Sequence, residues 1–519
     1  MTFCNRYRLQ ILGCLFLFIL PRQKVNAQAE SFTAVSAEVD FSQKLRTWDG
    51  FGFNYVQTSQ TFNFSEWPQD YGGFRFLNEK DKQHISALVF GADGLKVGLL
   101  KMFLDPLHQE KEGGPFDHKT TTRSMVDFAK RGLSLTKADG RQLEIITTMY
   151  GPPAYVTLQK ILRGRDLDTT KKDALVNYLV SWAKYLKQEE KLPLKYVSLH
   201  NEGEDWKRWP KDGSLGETNT VGHDYNFYWS PQQVVDITNR LRPALNKAGL
   251  QSVGITPGEN TNWYRFSHWG FAHALFNNAK ALQNTALITS HGFYVGDIQS
   301  GHWFGPHSNV GTELIRQKRP GLRAWITSTA WQVRGDVMSA HFIKEIHSSI
   351  YEAKVNGIIP WSGIQTASQW NKPDPNLGCA VRVYDDGSYE IQKGYYFYKQ
   401  VSRAGQPGMA VVLTQGMDTE VSLIGFAANG TKNPDALVLI NVSDKPKKVV
   451  IKVKGTRSRE FEAFRTTGRQ VYKRRETAEK IAEESDDYKP VGSFKNIDGT
   501  ISYEAPGGSV TTFYGKAKK

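Results

Sequence analysis

The sequence contains few cysteines and no long apolar run beyond its first residues. Only three cysteines occur in 519 residues, and two of them, Cys4 and Cys14, lie within residues 1–29. If that segment is removed as a leader, Cys379 alone remains, which excludes an internal disulfide and a metal site built on several cysteines. No stretch after residue 20 is apolar enough to cross a membrane, and we find neither an internal repeat nor a low-complexity linker. These absences exclude disulfide scaffolds, membrane spans and repeat arrays.

The first 29 residues have the pattern of a secretory signal peptide. Arg6 and Arg8 precede an apolar run at residues 11–20, which is too short to span a bilayer, and small residues at 27–29 offer a cleavage zone. A lipoprotein leader built on Cys14 is the alternative, but much of the apolar run would then follow the cysteine instead of preceding it. We therefore expect a secreted mature protein, either extracellular or periplasmic.

The chain is basic, with a formal charge of +14 that falls to +10 without the four cations of the leader. A basic exported protein could meet nucleic acid, anionic surfaces or acidic polysaccharide, but charge governs encounter and not chemistry. Neither a glycine-rich phosphate loop nor a nucleic-acid module is present, so we expect a carbohydrate partner, with acidic polysaccharide weakly favoured, and no nucleic acid. Lysines and arginines at 447–459 alternate with Val and Ile, which is typical of the solvated face of a strand; a polyanion-binding patch is the alternative. We expect a monomer.

Short apolar runs alternate with longer amphipathic stretches between residues 45 and 365. This alternation predicts repeated βα units around a parallel sheet. Eight such units indicate a (β/α)8 barrel, whose functional face is the C-terminal end of its strands. The eight predicted strands are 48–54, 95–104, 143–150, 196–200, 252–256, 286–294, 323–328 and 357–361.

After about residue 395 the pattern changes to short alternating strands separated by Gly, Asn and Asp turns, which predicts an antiparallel β-sandwich. The segment 30–44 alternates in the same way and could add a strand to it. The predicted organisation is therefore an α/β chain with a signal peptide (1–29), an N-terminal sandwich strand (30–44), a catalytic barrel (45–395) and a C-terminal β-sandwich (396–519).

Polar and aromatic residues at the strand exits are the candidates for a site, because residues deeper in the strands only fill the core. Glu202 is the sharpest of them: a carboxyl partly desolvated among aromatic rings would have a raised pKa, as a general acid requires. Asn201 beside it could hydrogen-bond a sugar hydroxyl. The alternative is that Glu202 merely pairs with Lys207 or Arg208 in a solvated loop. The full set is Asp105, Tyr150, Asn201, Glu202, Glu259, His291, Tyr294, Ser328, Trp331 and Trp361.

Several motifs, in the same order along the chain, resemble glycoside hydrolase family 30. "WDGFGFN" is similar to the opening strand of that family, "TMYGPPAYV" to its third-strand exit and "SLHNEGEDW" to its fourth-strand Asn-Glu pair. "YYFYKQVSRAGQPGM" resembles the re-entry into the side sandwich, and "GSVTTFYG" the final strand. The resemblance implies a barrel packed against a β-sandwich, hydrolysis of a β-glycosidic bond with retention, no cofactor, and Glu202 as acid/base.

The seventh strand departs from that family. It reads "AWITSTAWQV", so Ser328, Thr329 or Ala330 stands where the family has a nucleophilic Glu. Glu259, at the exit of the fifth strand, is the best substitute, with Glu204 in reserve; a loop-stabilising role for Glu259 is the alternative. A carboxyl separation of about 5 Å would indicate retention, and one of roughly 7 to 9 Å inversion.

His291 and Tyr294 resemble the polar exit of the sixth strand in the same clan, where they would orient a carboxylate or a sugar hydroxyl. We discount a zinc site built from His291, His302 and His307, because their spacing matches no recognised ligand pattern, and we expect no metal. Trp361 is a candidate stacking platform, and the tryptophans in the loops suggest an extended saccharide cleft. A barrel that binds carbohydrate without cleaving it remains the alternative function.

Overall fold

The structure is a computed structural model that describes residues 34–55, 73–104, 106–120, 122–162, 164–205, 227–293, 307–331, 337–366, 378–474, 479–482 and 485–516. Residues Ala34–Lys519 form a single compact unit. Among the helices of the described ranges, none combines the length and the apolar character needed to cross a bilayer.

Strands and helices alternate over the first three quarters of the described chain. The strands, in order, are β1 (Val35–Thr47), β2 (Gly50–Asn54), β3 (Leu99–Leu104), β4 (Glu144–Met149), β5 (Leu194–Ser198), β6 (Gly254–Thr256), β7 (Glu259–Asn260), β8 (Ile288–Ser290), β9 (Ala324–Ala330), β10 (Val337–Met338), β11 (Gly357–Trp361), β12 (Ile364–Thr366), β13 (Val381–Val383) and β14 (Tyr389–Ile391). The helices are α1 (Glu79–Phe90), α2 (Arg123–Ala138), α3 (Lys172–Lys184), α4 (Pro231–Lys247), α5 (Trp263–His268), α6 (Phe271–Asn277), α7 (Ala279–Asn284), α8 (Val310–Lys318) and α9 (Ala340–Tyr351).

Nine of these strands form a parallel barrel in the order β6-β5-β4-β3-β2-β11-β9-β8-β7. Isolated parallel bridges, Asn201 to Glu259 and Ile255 to Thr285, join the two ends of the sheet. The predicted fifth strand is split into β6 and β7, so the nine strands correspond to eight βα units. The predicted (β/α)8 barrel is therefore confirmed.

The inside of the barrel is filled by large side chains at its lower end and by polar ones above. Leu99, Ile146, Tyr196, Trp325 and Ile359 form a separate apolar cluster. Because side chains alternate along a strand, the residues two positions further on, Lys101 on β3 and Thr148 on β4, share the inward face. The sequence thus places a lysine inside the barrel, next to this apolar cluster and nearer to the C-terminal ends of the strands.

Most of the remaining described chain forms a large sheet beside the barrel. Helix α10 (Lys393–Ala404) is followed by β15 (Ala410–Gly416), β16 (Val421–Ala427), β17 (Ala436–Asn441), β18 (Lys447–Lys454), β19 (Glu460–Thr466), β20 (Gln470–Arg474), β21 (Glu479–Ala482), β22 (Lys489–Lys495), β23 (Thr500–Ala505) and β24 (Ser509–Gly515). Strands β20 and β21 pair with β10 in a separate three-stranded sheet. The large sheet has the order β22-β19-β24-β17-β16-β15-β1-β18-β23. It is antiparallel except where β1 runs parallel to β18, so the N-terminal strand is part of it. The predicted combination of a barrel with an appended β-domain is confirmed.

The large sheet encloses an apolar core of its own, which includes Val39, Ile451 and Phe513. Its other face packs on the barrel through α9 and α10, where Phe426 of β16 belongs to the same core as Phe51 of β2. Helix α10 spans residues 395 and 396, where the sequence analysis placed the domain boundary.

Two of the four lysines of the basic strand β18 form ion pairs with acids. Lys447 forms ion pairs with Asp418 and Glu420, and Lys454 forms one with Glu38. The alternation of buried and exposed residues along β18 matches the solvated strand face that its sequence indicates.

Candidate active site

The chain beyond β5 continues the barrel sheet toward Glu202. The backbone N–H of Glu202 donates to the carbonyl of Glu259, and the N–H of Glu259 donates to the carbonyl of His200, both at 2.8 Å. Gly258, with φ of 103°, is required here because a Cβ at this position would lie 2.0 Å from the His200 ring. Glu202 itself has φ of 50°, which is uncommon for a residue with a side chain and is typical of functional sites.

Glu202 and Glu259 are joined through the ring of His291. The Nδ1 atom of His291 lies 2.5 Å from Oε1 of Glu202, and Nε2 lies 3.1 Å from Oε2 of Glu259. On its other side Glu259 accepts hydrogen bonds from Lys101 Nζ at 2.5 Å and from Thr148 Oγ1 at 2.6 Å. All of these groups are buried, so the exits of β5 and β8 and the strands β3, β4 and β7 converge on one polar chain.

The charges of this chain follow from its contacts. Burial alone would raise the pKa of Glu259, but the Lys101 ammonium and the His291 ring lower that pKa to about 2, so the carboxylate is ionised. Burial likewise acts to lower the pKa of His291, whereas the adjoining Glu202 and Glu259 carboxylates raise it, and the net direction is upward. His200, which is buried beside them, has its pKa lowered to about 4 by desolvation and is therefore neutral.

One proton must lie between Glu202 and His291. An ionised carboxylate can only accept hydrogen bonds, so the Nε2 atom that faces ionised Glu259 carries a proton. The short contact at Nδ1 then requires a second proton, which is either on the ring or on the Glu202 carboxyl. The arrangement holds an exchangeable proton on the Glu202 carboxyl or next to it.

Other predicted residues lie around this chain. The Tyr150 ring packs edge-on against Phe103 with a 5.0 Å centroid separation, and Lys101 Nζ lies 5.5 Å from the Tyr150 ring centre. Asn201 forms the sheet bridge to Glu259, and Trp361 is the last residue of β11; both are buried.

Up to Trp331, the last described residue before position 337, the seventh-strand exit carries hydroxyls and no carboxylate. Ser328 is buried, and its Oγ atom accepts a hydrogen bond from Asn54 Nδ2 at 3.2 Å. Thr329 is 5% exposed. Trp331 is fully buried, with its ring 5.7 Å from that of Phe342 and 5.0 Å from that of Tyr398. Trp331 therefore packs in the layer between the barrel and α10.

Glu204, the reserve candidate, lies in an ion pair. Its Oε1 atom accepts from Arg265 Nη1 at 3.1 Å and from the backbone N–H of Thr261 at 2.9 Å. Both side chains of the pair are completely buried. These contacts tie the loop after β5 to the N-terminus of α5.

Two predicted residues, Asp105 and Tyr294, lie outside the described residues, as do Trp206, Trp209, Trp303 and Trp370. Trp263 is described and is fully buried. Within the described ranges, no three His, Cys, Asp or Glu side chains gather in a way that could hold a metal ion.

Sequence reasoning missed Lys101, Thr148 and Asn54. In the sequence, each of them is a polar residue at an inward-facing position of a barrel strand. Lys101 and Thr148 each follow a large apolar residue by two positions. Lys101 is the clearest example, because it interrupts the apolar run "LKVGLLKMFL".

Neither a known protein-family model nor a curated protein matches this sequence. Solved structures do match. The catalytic domain of GH30 xylanase C from Talaromyces cellulolyticus is 17% identical, with a TM-score of 0.66, covering 93% of this chain and 100% of that chain. A conserved exported protein from Bacteroides fragilis is 12% identical, with a TM-score of 0.67, covering 92% and 99%. An endo-β-1,6-glucanase is 16% identical, with a TM-score of 0.63, covering 93% and 94%. The chain therefore has a fold like that of glycoside hydrolase family 30, as its motifs indicate.

Proposed function

We propose that this protein is an exported glycoside hydrolase that cleaves β-glycosidic bonds in an oligo- or polysaccharide. The observation that carries the proposal is the buried Glu202 carboxyl at the exit of the fourth barrel strand, held 2.5 Å from a protonated or proton-sharing His291. General acid catalysis needs a transferable proton that is held near neutral pH, and the proton shared by Glu202 and His291, whose pKa is raised by its carboxylate neighbours, meets that need. The fold shared with family 30 enzymes supports the same reaction class.

In the proposed reaction Glu202 is the acid/base. It gives its proton to the departing glycosidic oxygen as the C–O bond breaks, and it takes a proton from the water whose oxygen bonds to the anomeric carbon. His291 supplies the hydrogen bond that orients Glu202 and shares the exchangeable proton. Water is the only co-reactant that this balance needs.

Glu259 remains the second carboxylate of the proposal, but its role is indirect. Both of its oxygens are engaged, by Lys101, Thr148 and His291, and the side chain has no exposed surface. We assign it to fixing the orientation and charge of His291, a positioning role instead of direct attack on the sugar.

Substrate binding is assigned to the residues around the strand exits. Asn201 and Tyr150 flank the polar chain, Ser328 lies at the seventh-strand exit, and Trp361 offers a stacking ring. Asp105 and Tyr294 keep their proposed binding role on sequence grounds. Trp331 also keeps its proposed place at the seventh-strand exit, where its ring packs on Phe342 and Tyr398.

The second candidate function is carbohydrate binding without cleavage. It is favoured by the seventh-strand exit, where Ser328, Thr329 and Ala330 provide no carboxylate to stabilise an oxocarbenium-like centre.

The deciding experiment assays the purified chain on a panel of β-linked glycans that includes xylan and β-1,6-glucan. We expect product with the wild-type chain and none with Glu202→Gln, which keeps the size of the side chain and removes the transferable proton. Glu189→Gln, an exposed carboxyl on another face, is the matched control and should retain full turnover. Glycan binding without product would support the second candidate, and near-normal turnover by Glu202→Gln would remove Glu202 from the mechanism.

Proton NMR of the first anomeric product on the cleaved glycan then reads retention or inversion directly. We also propose that the mature chain is released from a leader of residues 1–29 and acts as a monomer without a cofactor. Mass spectrometry of the exported protein and light scattering of the purified chain test these two points.

A further inference from the structure

A cavity of about 470 Å³ lies at the end of the barrel opposite Glu202. Its walls are the turn between α1 and β3, helix α10 and one end of the large sheet. That turn precedes β3, so it lies at the N-terminal end of the barrel strands, whereas Glu202 follows the C-terminal end of one. The volume is within the range of small-molecule sites.

Three cations line this cavity. Lys96 comes from the turn, and Lys399 and Arg403 come from α10. Within the described part of the chain, the nitrogens of these three side chains form no ion pair with a carboxylate oxygen within 4.0 Å. Lys96 Nζ lies 3.4 Å from the amide oxygen of Asn433, and Arg403 donates to the backbone carbonyls of Ala92 and Gly94.

The cations repel one another. Burial and, after it, the neighbouring Arg403 lower the pKa of Lys399 to about 8, against the opposing effect of Asp93. Burial also lowers the pKa of Lys96, with Arg141 and Arg403 adding to the effect. The two carboxyls of the lining, Asp93 and Glu462, are both exposed to solvent. A cavity lined by three cations and two exposed carboxyls has an excess of positive charge, which suits it to an anion.

The opposite wall is aromatic. Phe464 and Tyr488 stack with a centroid separation of 4.8 Å and an interplanar angle of 12°. The Tyr488 and Tyr514 hydroxyls lie 2.9 Å apart, and Arg403 Nε donates to Tyr488 at 3.2 Å. Aromatic walls with hydroxyls at their edges suit a sugar ring, which has apolar C–H faces and a polar rim.

We propose that this cavity binds an anionic sugar unit, with Lys96 and Lys399 holding the carboxylate or sulfate group and the Phe464–Tyr488–Tyr514 wall contacting the ring. The sugar class follows from the proposed function, but the site is separate from the one that would cleave. It would hold an acidic substituent of a glycan at a distance from the cleavage point and so increase the time that the protein spends on an acidic polymer.

The experiment measures binding of monosaccharides to the full-length mature chain by titration calorimetry, with D-galacturonate, D-galactose and inorganic phosphate as separate probes. We expect galacturonate to bind, galactose to bind much more weakly, and phosphate not to displace galacturonate at equal concentration. The Lys96→Gln/Lys399→Gln variant should lose affinity for galacturonate by roughly tenfold or more, because two charged hydrogen-bond donors are removed.

Two further measurements make the result decisive. The Lys448→Gln/Lys452→Gln variant removes the same charge from exposed positions on β18 and should bind galacturonate as the wild type does. The Lys96→Gln/Lys399→Gln variant should keep the wild-type rate on a short neutral glycan. Absence of galacturonate binding, equal binding of galactose, displacement by phosphate, or unchanged affinity in that variant would each overturn the proposal. Because binding is read without cleavage, a failure here is distinct from a failure of the hydrolase assignment.

Discussion

Lys101 is a charged side chain in the interior of the barrel, and its ammonium is neutralised by the contact with Glu259 at 2.5 Å. Both side chains are essentially inaccessible to water. A buried pair of this kind contributes little net stability compared with an apolar pair, but loss of one partner leaves an uncompensated charge. The pair therefore serves the polar chain at the site more than the barrel.

Replacing Lys101 with Met should destabilise the protein by about 3 to 5 kcal/mol, because the Glu259 carboxylate would then be buried without its main counter-charge. Urea unfolding monitored by tryptophan fluorescence measures the loss. The double variant Lys101→Met/Glu259→Gln removes both charges and should recover most of the stability. If the double variant were as unstable as the single one, the cost would come from lost packing and not from the unpaired carboxylate.

The His291→Gln variant should move the basic limb of the pH profile of kcat/KM to lower pH. In the wild type the shared proton is held by a pair whose imidazole has a raised pKa, so it is lost above the ordinary value near 6.5. In the variant the Glu202 carboxyl holds the proton alone, and because a carboxyl starts from an ordinary pKa near 4.3 instead of the imidazole's 6.5, we expect the proton to be lost at lower pH. Hydrolysis rates between pH 4 and 9 on the cleaved glycan provide the measurement, and an unmoved basic limb at reduced kcat would assign His291 a structural role only.

The sequence predicts the candidate site only in part: it shows which residues follow a barrel strand and therefore lie at the same end of the barrel. Alternation of strands and helices places Glu202, Glu259 and His291 at the same end of a barrel, because each follows a strand. The sequence does not reveal that one imidazole bridges both carboxylates, since that depends on how far each loop turns after its strand. The φ of 50° at Glu202 and the inward lysine at 101 are tertiary outcomes of the same kind.

Asp49, which directly precedes β2, has a carboxyl group with a raised pKa. Asp49 accepts a hydrogen bond from Trp325 Nε1 at 2.8 Å and pairs with Arg323, yet burial outweighs both and raises the pKa of Asp49 to about 6. Since the folded-state pKa exceeds the unfolded value of about 3.9, the folded state binds the proton more tightly. The stabilising effect is complete below pH 4 and is lost as the pH rises through 6.

The Asp49→Asn variant should not show this loss of stability as the pH rises. Asn keeps an acceptor for the Trp325 indole and does not ionise, so the free energy of unfolding should fall by about 2 kcal/mol less than in the wild type between pH 4 and pH 6.5. Urea unfolding at four pH values measures the difference. Parallel pH dependence in the two proteins would show that Asp49 titrates normally.

At the scale of elements, the strands of the barrel were predictable because each is a buried apolar run flanked by turn residues. The two-residue strand β7 was not, because Glu259 and Asn260 are polar and pair only where the fifth strand resumes after Gly258. The order of strands in the large sheet was also beyond the sequence. The parallel pairing of β1 with β18 joins segments about 400 residues apart, and no local pattern indicates it.

Across the whole molecule, barrel and large sheet share one apolar core. Trp48 and Phe51 at the start of the barrel lie with their ring centres 5.5 and 6.2 Å from that of Phe426 on β16. Gly405 at the end of α10 admits this contact, since a Cβ there would lie 2.6 Å from the Phe426 ring. A core that crosses the boundary predicts that the two parts unfold together.

Replacing Phe426 with Ala should lower the free energy of unfolding by about 3 to 5 kcal/mol, because a cavity would open beside the Trp48 and Phe51 rings, which cannot both collapse into it. Met417→Ala, at a position that is 86% exposed in the same sheet, should change the free energy of unfolding by less than about 0.5 kcal/mol.

Hydrogen exchange by mass spectrometry at increasing urea concentration tests whether the barrel and the large sheet unfold together, with barrel peptides from β3 and sheet peptides from β17 as reporters. We expect both sets of amides to lose protection at one common urea concentration in the wild type and at one lower common value in Phe426→Ala. If the sheet amides were exposed first while the barrel amides stayed protected, the large sheet would be an independent folding unit, and the shared core would contribute little to holding it on the barrel.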